Sequence, residues 1–388
     1  MITSTHLAAI RQALPATATQ IYLNNGTFGP LSDHVTQAMQ TRMQEEWQHG
    51  RLGEAAGFSS MLAIAAQARL QIARLLHAHE EEIALTVSTT HGLNIVSNGI
   101  DWQAGDEVII TNHEHIGAFA PLYQLRDRTG IVIKIADLGE QATYPLRPTI
   151  EALLTPRTRL IILSHVTWTT GTLLDIQSIG RLGQEYHLPV LVDGAQSAGA
   201  IDVNVHELDV DFYSIPMQKW LCGPDASGAL YVRQSSRAMI APTFVGFPSI
   251  IYGEDWKLQD NARRFEFGGL QTATIAGQHA ALQWLENEVT HAWMFQRISE
   301  LNTYAYHALK TVVGISVLTP LPGVSGILSF IVADHDEQDI VKRLQQEYTI
   351  YIRSISETKA LRLCTGFYNT EEEIDQFVHA LSQIIASA

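Results

Sequence analysis

The sequence predicts an α/β protein carrying a smaller α+β domain towards its C-terminal end. Three observations predict it. Short β-rich runs alternate with amphipathic helical patterns through the middle of the chain, as a mainly parallel sheet covered on both faces requires. From about residue 273 the alternation gives way to long helices and then a few strands. The 388 residues also exceed what one hydrophobic core usually serves, so two domains are expected.

The elements follow in order. "LTVSTTHGLNIVSNGI" (85–100) reads as a strand, a Ser88-Thr89-Thr90 turn and a helix. Strands are expected at "EVIIT" (107–111), "IVIKIADL" (131–138), "RLIILSHV" (159–166), "VLVDG" (190–194), "DFYSI" (211–215) and "GALYVR" (228–233). Helical patterns intervene at 116–129 and 176–187. The tail predicts a strand at "GILSFIVAD" (326–334), a helix over 336–347, and short strands at "YIRS" and "LRLCTGF". A last helix follows "NTEEEIDQF", with Asn369 or Thr370 as its cap and acids in its first turn.

Composition narrows the function. The net charge of −15 argues against a nucleic-acid partner and against an anionic membrane surface. No apolar run is long enough to span a bilayer. The first twenty residues lack a basic start followed by an apolar block, so a cytoplasmic protein is expected. Cys222 and Cys364 are too few for a disulfide framework or a four-cysteine zinc site. A soluble protein acting on a small molecule remains.

In open α/β sheets ligands bind at the carboxyl ends of the strands. There "VLVDGAQSAG" ends a strand on Asp193, with Gln196 three residues later, and Lys219 follows the next strand in "SIPMQKWLCGP". An aspartate at a strand end also serves as a helix cap, and a lysine among apolar neighbours also snorkels to water. Meeting in one crevice, the two suit pyridoxal phosphate. The lysine would carry the cofactor as an imine, and the acid would keep the pyridine nitrogen protonated. The phosphate needs an anion site, which Ser88, Thr89 and Thr90 at a helix N-terminus would supply, although such residues are also ordinary caps. Neither a dinucleotide fingerprint nor a P-loop is present. His113 and His115, with His91, offer a weak metal reading that no carboxylate framework supports, and no metal is expected. A ring stacked on the pyridine is the better use of His115.

"VDGAQSAG" followed by "QKWLCGPDASGALYV" resembles the class V aminotransferase superfamily of pyridoxal phosphate enzymes, fold type I. That group contains the cysteine desulfurases, the isopenicillin N epimerases and the cysteine/cystine C–S lyases. The likeness extends through "IYLNNGTFGPL" (21–31), "STTHGLNIV", Glu114-His115, "ILSHVTWTTG" (162–171), "RRFEFGG" (263–269) and "LRLCTGFYNTEEEID" (361–375). It is strongest to the C–S lyases in "TRLIILSHVTW", "KWLCGP" and "PTFVGFPSIIYG" (242–253).

The resemblance implies a large domain over 16–262 with a mainly parallel seven-stranded sheet between helices, and a small domain from 1–15 and 263–388. It implies that Lys219 anchors the cofactor and moves the substrate α-proton. Asp193 would pair with the pyridinium, Gln196 with the ring hydroxyl, and Thr89 and Thr90 with the phosphate, while His115 stacks on the ring. Arg362 would grip the α-carboxylate, with Arg353 and Asn25 as further substrate contacts. It also implies a homodimer with active sites at the interface, to which Gly268-Gly269 contributes. The chain departs from the family pattern at Pro216, Gln218 and Gly269, where a phosphate ligand, a histidine and a threonine are usual. Gln218 still offers a hydrogen bond, and Gly269 a backbone N–H.

No cysteine lies in "SISETKAL" between Arg353 and Arg362, where a desulfurase would carry the thiolate that accepts sulfur. β-Elimination on a cystine- or cysteine-type amino acid is therefore expected, giving pyruvate, ammonia and a thiol, sulfide or persulfide. The alternatives are a desulfurase, an epimerase or aminotransferase of the same superfamily, and, more remotely, a binding protein without catalysis.

Overall fold

The computed structural model describes residues 4–52, 57–253 and 255–387. Its strands in chain order are β1 (Ile21–Tyr22), β2 (Ile83–Thr86), β3 (Glu107–Thr111), β4 (Val132–Ala136), β5 (Thr158–Ser164), β6 (Val190–Asp193), β7 (Phe212–Pro216) and β8 (Gly228–Val232). There follow β9 (Ile250–Ile251), β10 (Lys257–Leu258), β11 (Ile315–Val317), β12 (Ile327–Val332), β13 (Ile350–Tyr351), β14 (Arg353–Ile355) and β15 (Ala360–Cys364).

Seven strands form the large sheet in the order β2-β8-β7-β6-β5-β3-β4. β8 runs antiparallel to β2 and β7, and every other pair is parallel. Alternate residues feed two cores, as a sheet buried on both faces requires. Ile109, Ile161, Leu163 and Val192 face one side, and Val108, Ile110, Leu160, Ile162 and Leu191 the other. Because only β8 is reversed, β2, β3, β5, β6 and β7 all end at one edge. The loops after Thr86, Thr111, Ser164, Asp193 and Pro216 therefore converge, which creates the site.

The small sheet is antiparallel, in the order β11-β12-β15-β14. Its register sets Arg362 of β15 opposite Ser329 of β12 on one side and Arg353 of β14 on the other. The N-terminal segment joins this unit, since β1 pairs with β13 and Asn24 bridges Cys364. Leu23 is buried in the small-sheet core. Around the expected boundary at residue 262 the packing crosses in both directions, because the helix Thr272–Trp284 lies against Asp33–His49 and Phe58–Leu75. No helix among the described residues is long and apolar enough to cross a membrane.

The last helix, Glu371–Ala386, starts as its sequence predicts. The Thr370 hydroxyl accepts from Glu373 N, and the Glu373 carboxylate accepts from Thr370 N. Glu373 also pairs with Arg11 at 2.8 Å, tying the first helix to the last. Thr370→Ala removes one half of that box and is expected to lower the unfolding free energy by about 1 kcal/mol. A urea titration with an unchanged midpoint would show that the cap contributes nothing.

Candidate active site

The converging loops enclose a cavity of about 330 Å³ lined by Lys219, Asp193, Gln196, Thr89, Thr90, His115, Gln218, Arg353 and Arg362. Two glycines make the enclosure possible. A Cβ on Gly194, directly after Asp193, would meet the Tyr213 ring at 2.2 Å, and one on Gly29 would meet the Lys219 carbonyl at 2.1 Å. Gly29 N also donates to Gln218 O at 2.7 Å, so the N-terminal loop lies directly on the lysine segment.

Lys219 lines the cavity half-buried, and desolvation lowers its pKa from the ordinary lysine range to about 8. The nearby charges act in both directions: Asp193 raises it, while Arg362 and Arg353 lower it. Asp193 ends β6. One of its oxygens accepts from Ala195 N at 2.8 Å, and burial raises its pKa while Lys219 opposes the rise. Gln196 donates to Gly26 O at 2.9 Å and accepts from the Trp220 indole at 2.9 Å, so one of its amide protons stays uncommitted. His115 caps the helix Ile116–Thr129 by accepting from Gly117 N at Nδ1, which puts the proton of the neutral ring on Nε2. Burial, then Lys219, Arg353 and Arg362, lower its pKa to about 4, so the ring is neutral.

At the head of the helix Thr89–Gly99, Ser88 accepts from His91 N and acts as the cap. The N–H groups of Thr89 and Thr90 precede the first intrahelical bonds, and the buried Thr89 hydroxyl has no partner. The side-chain oxygen of Gln218, Oε1, is likewise buried and unpartnered. Arg362 is 1% exposed. It donates to Trp168 O at 3.0 Å and Thr27 Oγ1 at 2.9 Å, leaves Nε unpartnered, and takes part in no ion pair among the described residues. Arg353 faces it directly across β14 and β15 and lies over the Trp168 ring at 5.6 Å. Like charges opposed on one face of an antiparallel pair repel. Two guanidinium groups arranged so are a receptor for carboxylate.

Asn25, expected as a substrate contact, does not line this cavity, and neither does Gly269, which was expected to reach a partner's site. Asn25 is buried behind the wall, where it accepts from the Tyr368 hydroxyl at 2.8 Å. Gly269, at φ +71°, lines a separate cavity with Arg263 and Phe247. His113 spends both nitrogens, on Thr169 and on Gly139 O, and His91 accepts from Val87 N at Nδ1. Thr27, Ser164 and Trp168 line the site without having been singled out. Ser164 was within reach, because it ends β5 as Asp193 ends β6. Thr27 was not, since nothing in "LNNGTFG" says which side chain a turn aims inward.

Comparison with known proteins adds to this geometry. A family model described as aminotransferase class-V matches residues 21–377. A probable cysteine desulfurase of Methanothermobacter thermautotrophicus is 28% identical, over 97% of each chain. The cystine C–S lyase C-DES, in complex with its reaction product cysteine persulfide, superposes with a TM-score of 0.90 at 30% identity, covering 95% of this chain and 99% of that one. A variant of C-DES with glycine covalently linked to the pyridoxal phosphate cofactor also gives 0.90 at 30% identity, over 96% and 98%. A cysteine desulfurase of Escherichia coli gives 0.86 at 25% identity, over 98% of each.

The depressed pKa of Lys219 has a direct readout. With the ligand-free protein, borohydride trapping of an aldehyde on Lys219 should rise as pH increases through about 8, where the amine becomes neutral. A midpoint near 10 would contradict the burial of the amine.

Proposed function

From the premise that the chain belongs to the aminotransferase class-V family, we propose that it is a pyridoxal phosphate-dependent carbon–sulfur lyase of fold type I acting on cystine-type amino acids. The cavity fits the cofactor on its own chemistry. Asp193 keeps an oxygen for the ring nitrogen, Lys219 supplies the amine, and the unpartnered Thr89 hydroxyl stands at a helix N-terminus suited to a dianion. His115, neutral and edge-on to Trp168 at 5.4 Å, would cover the ring. When bound, pyridoxal phosphate supplies an electron sink that makes the Cα–H bond and then the Cβ–S bond breakable.

The protein's part follows from its residues. Arg362 takes the α-carboxylate and fixes the amino acid. Lys219 Nζ, held near neutrality, takes the α-proton. Arg353 meets the far end of a longer substrate, beside a second cavity of about 780 Å³ that shares His115, Trp168 and Arg353 with the first. For cystine the balance is cystine plus water to pyruvate, ammonia and cysteine persulfide. The observation that carries elimination over sulfur transfer is the turn between β14 and β15. It spans only 356–359, without a cysteine, and both Cys222 and Cys364 are buried.

The proposal includes a cytoplasmic homodimer. The segment around β9 and β10 leaves Phe244, Val245, Tyr252 and Trp256 exposed, an apolar face of the kind a second copy covers. Gly269 would then reach the partner's phosphate site.

Incubation of the cofactor-loaded protein with L-cystine should yield pyruvate and ammonia in equal amounts. Alanine from L-cysteine would instead establish a desulfurase. Arg353→Ala should cost roughly tenfold more kcat/KM on cystine than on cysteine, as the loss of one charge-assisted contact implies, and equal losses would remove Arg353 from the distal contact. Arg362→Ala should lower kcat/KM on both substrates, by roughly 10- to 100-fold.

A further inference from the structure

We propose that Glu114 is a positioning residue of this site, a second buried carboxylate that acts through Ser164 and Asp193 to hold the proton on the cofactor's ring nitrogen. The inference rests on reading the cavity as a pyridoxal phosphate site. Glu114 lies in the turn between β3 and the helix Ile116–Thr129 and is 5% exposed. Its Oε1 accepts from the Thr111 hydroxyl at 2.6 Å and from Ser164 N at 2.9 Å, and its Oε2 accepts from the Ser164 hydroxyl at 2.5 Å. Thr111 and Ser164 end β3 and β5, and Ser164 pairs with Asp193 across β5 and β6. The carboxyl therefore sits on the same edge as Asp193, with Ser164 between them.

The rest of the turn is pinned as well. Asn112 donates to Asp137 and accepts from Leu138 N, and His113 is held by Thr169 and Gly139. Glu114 completes that clamp and leaves His115 aimed at the cavity. A clamp alone does not call for a charge. Glutamine would accept from the Thr111 hydroxyl and Ser164 N, and would donate to a rotated Ser164 hydroxyl. A carboxylate in the same place costs the burial of an ion, and no cation among the described residues pairs with it. Burial, with Asp193 adding to it, raises Glu114 to about 7, so the group is anionic at pH 8.

Asp193 on β6, Lys219 after β7, His115, and Arg353 and Arg362 on β14 and β15 line the cofactor cavity with Ser164, while Glu114 lies behind Ser164 and borders the adjoining cavity with His115 and Arg353. Three of these are cationic or become so, and each works against a proton on the ring nitrogen. A second anion beside Asp193 opposes them.

The test uses the cofactor-loaded protein and Glu114→Gln, which keeps the hydrogen bonds and removes the charge. The readouts are the pH midpoint of the visible absorption of the lysine-bound cofactor, the dissociation constant for pyridoxal phosphate, and the thermal midpoint. The variant should move the absorption midpoint to higher pH by roughly half to one unit, because loss of the ring-nitrogen proton removes a positive charge conjugated with the imine. It should also bind the cofactor several-fold more weakly and melt as the natural protein does. An absorption midpoint that is unmoved or moves to lower pH would overturn the proposal, whatever happens to stability. If Glu114→Gln does not fold, Glu114→Asp and Glu114→Asn give the same comparison: the aspartate variant should hold a midpoint lower than the asparagine variant, and equal or reversed values would overturn the proposal. Absence of visible absorption in the unmutated protein would instead reject the cofactor reading.

Discussion

Two guanidinium groups opposed across an antiparallel strand pair, one of them buried, impose the constraint on which this structure turns. Their mutual repulsion, and the desolvation of Arg362, disfavour the empty arrangement, and an anion between them reverses both effects. Arg362 stands on the small sheet but donates to Trp168, which follows β5 of the large sheet, and to Thr27 of the N-terminal loop. Three separate parts of the chain must therefore dock before the receptor exists. The pairing of β1 with β13 and the bridge from Asn24 to Cys364 provide that docking.

The same positive field shapes the remaining chemistry. It favours uncharged forms of nearby bases, and burial acts in the same sense, so His115 is neutral and Lys219 is close to losing its proton. A neutral amine is what nucleophilic attack and proton abstraction require. Burial raises the pKa of Asp193, which lines the same cavity, and of Glu114 behind Ser164, and Lys219 opposes the rise at Asp193. The cavity thus carries both Arg353 and Arg362, which receive substrate, and Asp193, which suits a protonated ring.

Selection of the reaction depends on a short piece of backbone. A turn confined to 356–359 keeps β14 and β15 in register and brings Arg353 opposite Arg362, yet carries no thiol. Cys364 comes close in sequence, but its sulfur is buried against the N-terminal loop beside Gly26. Departure of sulfur into the wide adjoining cavity is then the open course.

Much of this was legible in the residues. The uninterrupted apolar runs in "EVIIT" and "RLIILS" mark strands buried on both faces, Thr370 with Glu373 marks a helix start, and Asp193 and Lys219 mark strand ends, because each signal is local. Anchoring and electron withdrawal could be read there too, since they depend on residue types at the ends of consecutive strands. Tertiary structure alone decided the rest. That Asn25 bonds to Tyr368 while Thr27 turns in to Arg362, and that Glu114 reaches Ser164 beside Asp193, are outcomes of packing between segments 50 to more than 300 residues apart, and that Arg353 faces Arg362 is set by the register of β14 on β15. Local sequence sets how a segment folds. Which of its side chains meets another segment depends on the edge to which both are delivered: the parallel strands deliver Ser164 and Asp193 to one edge, and the pairing of β1 with β13 brings the N-terminal loop to the small sheet.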